Sequence, residues 1–200
     1  MRAELKEQNL KVLLFTGHMI DAENRKEPRF PKEREAEIRQ KIKVNVKDVL
    51  ESNHAEDNYI AIAGGACGGD LLFLEICNEL GLKVKMLLAL PAEDYIAESV
   101  SFAGKSWVDR FYRMYEDSNT EVSVFAQRKD LEVSVIEQDE YSFWERNNLW
   151  LLKTALSFGG SNLTLIAVWD GKGEDGPGGT KHMIQEVQKS GAKSIVIPLK

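Results

Sequence analysis

The feature that most constrains the fold of this chain is an alternation between short apolar runs and longer segments with helical periodicity. Each run is nearly continuous in apolar character and is bounded by polar residues, Gly or Pro. Runs of this length and composition are typical of strands that are buried on both faces of a sheet. Five runs fit this description, at residues 11–16, 59–63, 83–90, 163–169 and 194–198.

The segments between these runs repeat apolar residues at steps of three and four, which predicts amphipathic helices. Gly81 and Gly191 follow two of the segments, as expected at helix C-termini. The helical segments are 32–52, 70–80, 105–117, 140–158 and 180–190. Alternating strands and helices predict the α/β class, and specifically a doubly wound, mostly parallel, Rossmann-like three-layer sandwich.

One stretch departs from this rhythm. Residues 119–137 alternate with period two and contain the tetrapeptide EVSV twice. The pattern predicts a strand with a hairpin return at the edge of the sheet, and a flap over a ligand site is the alternative. Because no linker rich in Pro, Gly or Ser interrupts the chain, we predict a single domain over residues 1–200.

The charge balance bears on the classes of partner. The chain has 26 Lys and Arg against 32 Asp and Glu, so its formal net charge is −6. Because nucleic-acid binding depends on neutralising phosphates, we expect no polymeric nucleic acid partner. No apolar run reaches the roughly 18 residues that a bilayer span requires, and the N-terminus lacks a signal-peptide pattern. We therefore expect a cytoplasmic protein without membrane association.

Ligands of open parallel sheets bind at the carboxyl ends of the strands, near the point where the winding reverses. Thr16, Gly17 and His18 follow the first predicted strand, and Asp170 follows the strand at 163–169. We therefore assign all four residues to a candidate ligand site. For Asp170 the preferred interpretation is that it holds the following turn, and a contact to a ribose is the alternative.

Two glycine-rich turns each connect a predicted strand to a helix. Glycine allows close backbone approach, and a helix N-terminus offers N–H groups that attract anions. Two such turns favour a phosphate or carboxylate site over simple tight turns, although neither matches the Walker A or the dinucleotide GxGxxG fingerprint. The residues assigned to this anion site are Gly64, Gly65, Gly68, Gly69, Gly178, Gly179 and Thr180.

Three charged residues are further candidates. Asp70 begins the helix after the first turn and is either an N-cap or an acceptor for a sugar or a base. Arg29 lies between the prolines of PRFP and is the best candidate for a phosphate contact within a charged loop that is otherwise expected to be solvated. Arg110, on an amphipathic helix, is a second candidate, with a surface salt bridge as the alternative.

The histidines and cysteines do not indicate a metal centre. The three His and two Cys lack the spacing of known metal-ligand motifs, so we expect no metal and no required cofactor. Cys67 lies in the first glycine-rich turn, next to a predicted helix N-terminus that would lower the pKa of a thiol. A small buried thiol is nevertheless the preferred interpretation.

Six motifs in order resemble the SLOG branch of Rossmann-like proteins, which is related to the lysine-decarboxylase-like LOG proteins and to the DNA-processing protein DprA. They span about residues 11–198 and read FTGHMID, RFP, GGACGGDLLFLE, SVSFAGKSWVDRF, AVWDG and GPGGT. The resemblance implies a pocket for a nucleotide or a nucleotide-derived ligand at the two glycine-rich turns. It also implies a role as a ligand sensor or recognition module.

The chain departs from the LOG enzymes at one motif. Those enzymes carry PGGxGTxxE, whereas here Met183 stands three residues after Thr180 and Glu186 stands six after it. The extra three residues move the carboxylate roughly 4–5 Å along a helix and onto another face. A hydrolase or transferase acting on the N-glycosidic bond of nucleoside monophosphates, with Asp70 or Glu75 as the catalytic acid, therefore stays an alternative function.

A third hypothesis is a ligand-free interaction domain that has kept the fold alone. A homodimer is compatible with all three hypotheses, because apolar helices such as 140–158 can pack between subunits.

Overall fold

A six-stranded parallel sheet forms the centre of the protein. The computed structural model describes residues 10–52, 58–125, 143–172 and 179–199. Every strand pair in these ranges is parallel. The strands are β1 (Leu10–Gly17), β2 (Asn58–Ala63), β3 (Lys83–Leu88), β4 (Thr120–Val124), β5 (Leu163–Trp169) and β6 (Lys193–Pro198).

The strand order is β4-β3-β2-β1-β5-β6. The chain begins at the centre with β1, moves outward through β2 and β3 to β4, and then returns to the other side of β1 with β5. The winding therefore reverses between β1 and β5, which pair in parallel from Val12 with Leu163 to Gly17 with Val168. This junction is where a doubly wound sheet opens a crevice for ligands.

Helices cover both faces of the sheet, as the sequence predicted. They are α1 (Glu35–Glu51), α2 (Gly69–Glu79), α3 (Ala92–Ser99), α4 (Lys105–Tyr115), α5 (Phe143–Leu156) and α6 (Thr180–Lys189). One apolar cluster joins α1, α2, α3 and α4 to one face, and a second joins α5 and α6 to the other. Because both faces are buried, the central strands read as continuous apolar runs rather than as alternating ones.

Two details differ from the sequence prediction. Helix α3 was not predicted, because Ala92–Ser99 is short and directly follows Pro91. The stretch at 119–137 contributes β4, which pairs in parallel with β3 from Val84 with Thr120 to Leu88 with Val124. The predicted hairpin return, or flap, falls on residues 126–137, which lie outside the described residues.

Within the described ranges, the structure contains no helix that combines the length and the apolar character of a membrane span.

Candidate functional site

A pocket of about 360 Å³ opens at the carboxyl ends of β1, β2 and β5, at the point where the winding reverses. It brings together residues from both glycine-rich turns and from the loop after β1. Of the residues that the sequence assigned to a site, those that line it are Thr16, Gly17, His18, Arg29, Gly64, Asp70, Gly179 and Thr180. The pocket is therefore the candidate functional site.

Asp170 lies behind the pocket wall and links two of its lining residues. Its Oδ1 is 3.3 Å from Nε2 of His18, and its Oδ2 is 3.2 Å from Nε of Arg29. The backbone N–H of Lys172 also donates to Oδ1, at 2.9 Å. Burial would raise the pKa of Asp170, but this hydrogen bond and the neighbouring His18 and Arg29 together hold it below its ordinary value. Asp170 is thus an ionised residue that holds the turn and positions its neighbours.

His18 is a hydrogen-bonding ring rather than a fixed cation. Burial lowers its pKa below the ordinary value, and the nearby Asp170 offsets that effect only in part. The tautomer that suits the contact carries its proton on Nε2 and donates it to Asp170, which leaves Nδ1 as a hydrogen-bond acceptor. A neutral His18 in this tautomer suits a hydroxyl donor better than a phosphate.

Arg29 reaches the pocket because its loop is closed by two backbone contacts. The N–H of Arg29 donates to Oδ2 of Asp21 at 2.8 Å, and the N–H of Asp21 donates to the carbonyl of Phe30 at 2.9 Å. The Phe30 ring is fully buried and anchors the loop in the core. The ion pair with Asp170 then fixes the guanidinium, whose side chain is only 12% exposed, at the pocket wall.

The turn from Gly64 to Asp70 uses its own backbone amides for internal hydrogen bonds. The N–H of Gly65 donates to the Tyr95 hydroxyl at 3.0 Å, and the N–H of Cys67 donates to the carbonyl of Ser99 at 3.0 Å. The N–H of Gly69 donates to the carbonyl of His18 at 3.1 Å. These amides hold the turn against α3 and the loop after β1, so they are not offered to a ligand.

Three glycines of this turn lie outside the pocket lining, contrary to the sequence assignment. A Cβ on Gly65 would lie 2.4 Å from the methyl carbon of Met86, and one on Gly69 would lie 2.9 Å from the Phe15 ring. Gly68 has a φ of +101°, and a Cβ there would lie 2.6 Å from the backbone nitrogen of Ile20. These positions need glycine because neighbouring groups pack against the backbone, which gives the same sequence signature as a phosphate loop.

Asp70 forms part of the pocket wall beside Gly64. A Cβ on Gly64 would lie 2.6 Å from Oδ2 of Asp70, so only glycine leaves room for this carboxyl group. Burial raises the pKa of Asp70 to about 7, although the backbone N–H of Ala66 donates a hydrogen bond to the carboxylate. A carboxyl group with this pKa can give or take a proton near neutral pH.

Arg110 and Glu75, both assigned to the site from the sequence, lie elsewhere in a structural network. Arg110 donates from Nε and Nη2 to the two carboxylate oxygens of Glu75, at 2.7 and 2.6 Å, and from Nη1 to Glu35 at 2.7 Å. Its guanidinium also lies 4.0 Å from the centre of the Trp107 ring. The network ties α1, α2 and α4 together, so Arg110 forms a largely buried salt bridge outside the pocket lining.

The second glycine-rich turn reaches the pocket through Gly179 and Thr180, where α6 begins. The first N–H groups of a helix have no acceptor within the helix, and they carry its positive dipole end. Thr180 is buried and lines the pocket, so this first turn forms part of the pocket wall. Gly178, the remaining assigned residue, lies outside the described residues.

Sequence reasoning missed the wall that α5 contributes. Trp144, Asn147, Asn148 and Leu151 line the pocket at the spacing of one helix face, and Trp169 at the end of β5 lines it as well. The sequence signal for this wall was the pair Asn147 and Asn148, two adjacent amides within a helix that packs apolar residues on the sheet. Tyr95 and Ser99 of α3 also line the pocket, and α3 itself was not predicted.

Neither metal binding nor thiol chemistry is indicated in the part of the chain that the structure describes. It holds no group of three or more His, Cys, Asp or Glu residues arranged to bind a metal ion. Cys67 and Cys77 are both buried and unbridged, and burial raises the pKa of Cys67 to about 12. Cys67 is therefore a protonated buried thiol, in agreement with the preferred interpretation from the sequence.

Comparison with known proteins adds little to this geometry. No protein-family model matches the chain, and no curated protein matches it. The chain is similar to the X-ray structure of DNA processing protein A (DprA) from Streptococcus pneumoniae, at 13% sequence identity and a TM-score of 0.39. The similarity covers 96% of this chain but 60% of the DprA chain, so this chain spans less than two thirds of that protein's length. The fold assignment rests on the strand order and pairing of the chain itself, and the relation to LOG enzymes stays a prediction.

The exclusion of polymeric nucleic acid as a partner was wrong as an inference from the net charge. The similar structure is that of a protein named for DNA processing, and the exclusion depended on a net charge of −6 summed over the whole chain. Charges screened by salt act over only about 10 Å, so a phosphate responds to the local charge around it. A net charge therefore does not describe a local site such as the pocket wall that contains Arg29.

Proposed function

We propose that the pocket binds a ligand of nucleotide type, and that the protein serves as a recognition module or sensor for it. One observation carries this proposal: the first turn of α6 and the Arg29 guanidinium line the same pocket, at the point where the sheet winding reverses. A helix N-terminus and a guanidinium are two groups that bind phosphate, and here both line the same pocket.

The rest of the pocket suits a ribose and a base better than a bare anion. The indole rings of Trp144 and Trp169 line it, and such rings stack on bases. His18 offers a ring nitrogen to a sugar hydroxyl, and Asp70 can accept or donate a hydrogen bond. A volume of about 360 Å³ is of the size that small organic ligands occupy.

A thermal-shift experiment with the whole chain tests the proposal. The ligands would be nucleoside mono- and diphosphates, cyclic nucleotides, dinucleotides and a single-stranded DNA oligonucleotide. A ligand at 100 times its Kd stabilises the folded state by about 2.7 kcal/mol, which for a chain of this size raises the Tm by roughly 5–10 °C. If no ligand of the panel raises the Tm at saturating concentration, the proposal fails.

Variants then locate the phosphate. Arg29→Leu removes a charged hydrogen-bonding group and is expected to weaken binding by at least about tenfold. The matched control is Arg39→Leu, because Arg39 pairs with Glu79 on the helices α1 and α2 outside the pocket lining. Equal affinities of the two variants would show that Arg29 does not bind the phosphate.

Hydrolysis of an N-glycosidic bond is a second candidate function, favoured by one observation. Asp70 is a pocket carboxyl group with a pKa of about 7, so it can protonate a leaving base. Water would add across the bond between base and ribose, giving the free base and ribose 5-phosphate. Glu75 is not a candidate acid, because it binds Arg110 outside the pocket lining.

Chromatography of the protein incubated with nucleoside monophosphates tests this activity. Free base should accumulate with the wild-type protein and not with Asp70→Asn. Base release at the same rate by the variant would exclude Asp70 as the acid, and tight binding without release would leave recognition as the function.

A further inference from the structure

The pocket wall formed by α5 carries polar groups that the phosphate and ribose contacts leave unused. Trp144, Asn147, Asn148 and Leu151 occupy positions i, i+3, i+4 and i+7 of the helix, so they share one face. All four line the pocket. The same helix buries Trp150, Leu152 and Ala155 against the sheet, so the amides stand beside an apolar core.

The Asn147 side chain is buried without satisfying its hydrogen-bonding capacity. The residue is only 5% exposed, and its Oδ1 finds no hydrogen-bond donor within the described ranges. Buried polar atoms are almost always paired, and an unpaired one is unfavourable for folding. A leucine of nearly the same size would fill the position without this cost. Because Asn147 lines the pocket, a ligand bound there can supply the missing donor.

We propose that Asn147 recognises the amino edge of an adenine, in an inference that rests on the nucleotide binding proposed above. The unpaired atom is an acceptor, so its partner must be a donor such as an exocyclic amino group. Adenine places its N6 amino group next to a ring nitrogen, and an asparagine amide pairs with that edge through one accepted and one donated hydrogen bond.

The surrounding groups also favour a purine. Trp169 is held in place by the hydrogen bond from its Nε1 to the carbonyl of Lys172, at 3.0 Å, and Trp144 packs edge-on against Tyr95, with ring centres 6.2 Å apart. Two oriented indole rings offer a stacking surface that suits the larger base. The phosphate end of the same ligand lies toward Arg29 and the first turn of α6.

Calorimetric titration with two matched nucleotides tests the inference. Adenosine 5′-monophosphate is compared with purine riboside 5′-monophosphate, which lacks only the exocyclic amino group. Wild-type protein is expected to bind the adenine nucleotide roughly 5- to 100-fold more tightly. Asn147→Leu should bind the two nucleotides equally, while the control Asn45→Leu should keep the preference, because Asn45 donates to its own helix at Lys41.

A second pair of titrations identifies the source of the base. A 5′-phosphorylated oligo(dA) and an oligonucleotide of the same length with purine in place of adenine present the same chemistry on a DNA strand. A preference for adenine with either the mononucleotide or the oligonucleotide supports the inference, and the tighter ligand shows which source the pocket takes.

The outcomes separate this inference from the proposed function. Equal binding of both nucleotides by the wild-type protein, or a preference that survives in Asn147→Leu, overturns the role of Asn147 and leaves nucleotide binding standing. The role of Asn147 is also overturned if other nucleotides bind but adenosine 5′-monophosphate and purine riboside 5′-monophosphate do not. If no nucleotide binds, the proposed function itself fails. The unliganded Asn147→Leu protein should be at least as stable as wild type, since the unpaired Oδ1 is gone, so a loss of preference cannot be ascribed to unfolding.

Discussion

Replacing Asp70 by Asn tests whether burial in the pocket raises the pKa of this carboxyl group and thereby lowers the stability of the protein at higher pH. Asp70 lies in the first turn of α2, where the helix dipole favours a negative charge by up to about 1 kcal/mol at an exposed site. Burial acts in the opposite direction and raises its pKa from an ordinary value near 3.8 to about 7. At 1.36 kcal/mol for each pKa unit, this interval is equivalent to about 4 kcal/mol, so burial outweighs the dipole.

The sign of the pH dependence follows from this raised pKa. Below pH 4 the carboxyl group is protonated in both the folded and the unfolded chain, so its ionisation does not lower the free energy of unfolding. Between pH 4 and pH 7 the folded chain holds a proton that the unfolded chain has lost, so the free energy of unfolding decreases as the pH rises. Above pH 7 the cost stays at its full value. Asparagine is neutral throughout and can still accept the hydrogen bond from Ala66.

Urea denaturation followed by tryptophan fluorescence measures the effect. The stability of Asp70→Asn relative to wild type is expected to improve by about 3 kcal/mol between pH 4.5 and pH 8. Asp109→Asn is the matched control, because Asp109 is an exposed acid on α4 that pairs with Lys105. Its relative stability should change by less than about 1 kcal/mol over the same range. A relative stability of Asp70→Asn that is independent of pH, or that decreases as the pH rises, would refute the reasoning.

Three further predictions concern the site and its supports. An anionic ligand near Asp70 favours the protonated form of this residue, so the nucleotide affinity of the wild-type protein should fall, relative to that of Asp70→Asn, as the pH rises through 7. Calorimetry at pH 6 and pH 8 measures both affinities. The same change in affinity with pH for both proteins would contradict this prediction. Gly171→Ala should lower the free energy of unfolding by about 1 kcal/mol, and Gly68→Ala by at least twice as much. Both glycines have positive φ, but only a Cβ at Gly68 would meet backbone atoms. Equal decreases in the free energy of unfolding, measured in urea, would show that backbone strain alone matters. Arg110→Leu should lower the free energy of unfolding by about 2 kcal/mol, because the Glu75 and Glu35 carboxylates lose their partner. The variant should bind nucleotides with unchanged affinity. Weaker nucleotide binding by the folded variant would show that Arg110 contributes to the site.

The fold class could be predicted because its signals are local. A strand buried on both faces must be apolar along its length, and a helix that packs by one face must repeat apolar residues every three or four positions. Both signals survive in a single sequence without knowledge of neighbours. The position of the candidate site also followed from the fold class, since ligands of such sheets bind at the carboxyl ends of the strands.

The roles of individual site residues could not be predicted in the same way. The glycines at 65, 68 and 69 looked like a phosphate loop, and the structure uses them for close packing. Arg110 and Glu75 are 35 positions apart in sequence and meet only because α2 and α4 pack side by side. Asn147 lies on the helix predicted over 140–158, which the sequence connected only with packing between subunits, and the strand order brings that helix to the pocket.

The sequence by itself therefore determined the strands, most of the helices, the parallel sheet and the end of the sheet at which a site is expected, because each depends on the pattern within one segment. The tertiary structure alone decided which backbone amides are consumed internally, which charges neutralise one another and which carboxyl group has its pKa raised to about 7. These properties depend on the distance between groups far apart in the chain and on their removal from water, and neither quantity is encoded in the spacing of residues along one strand or helix.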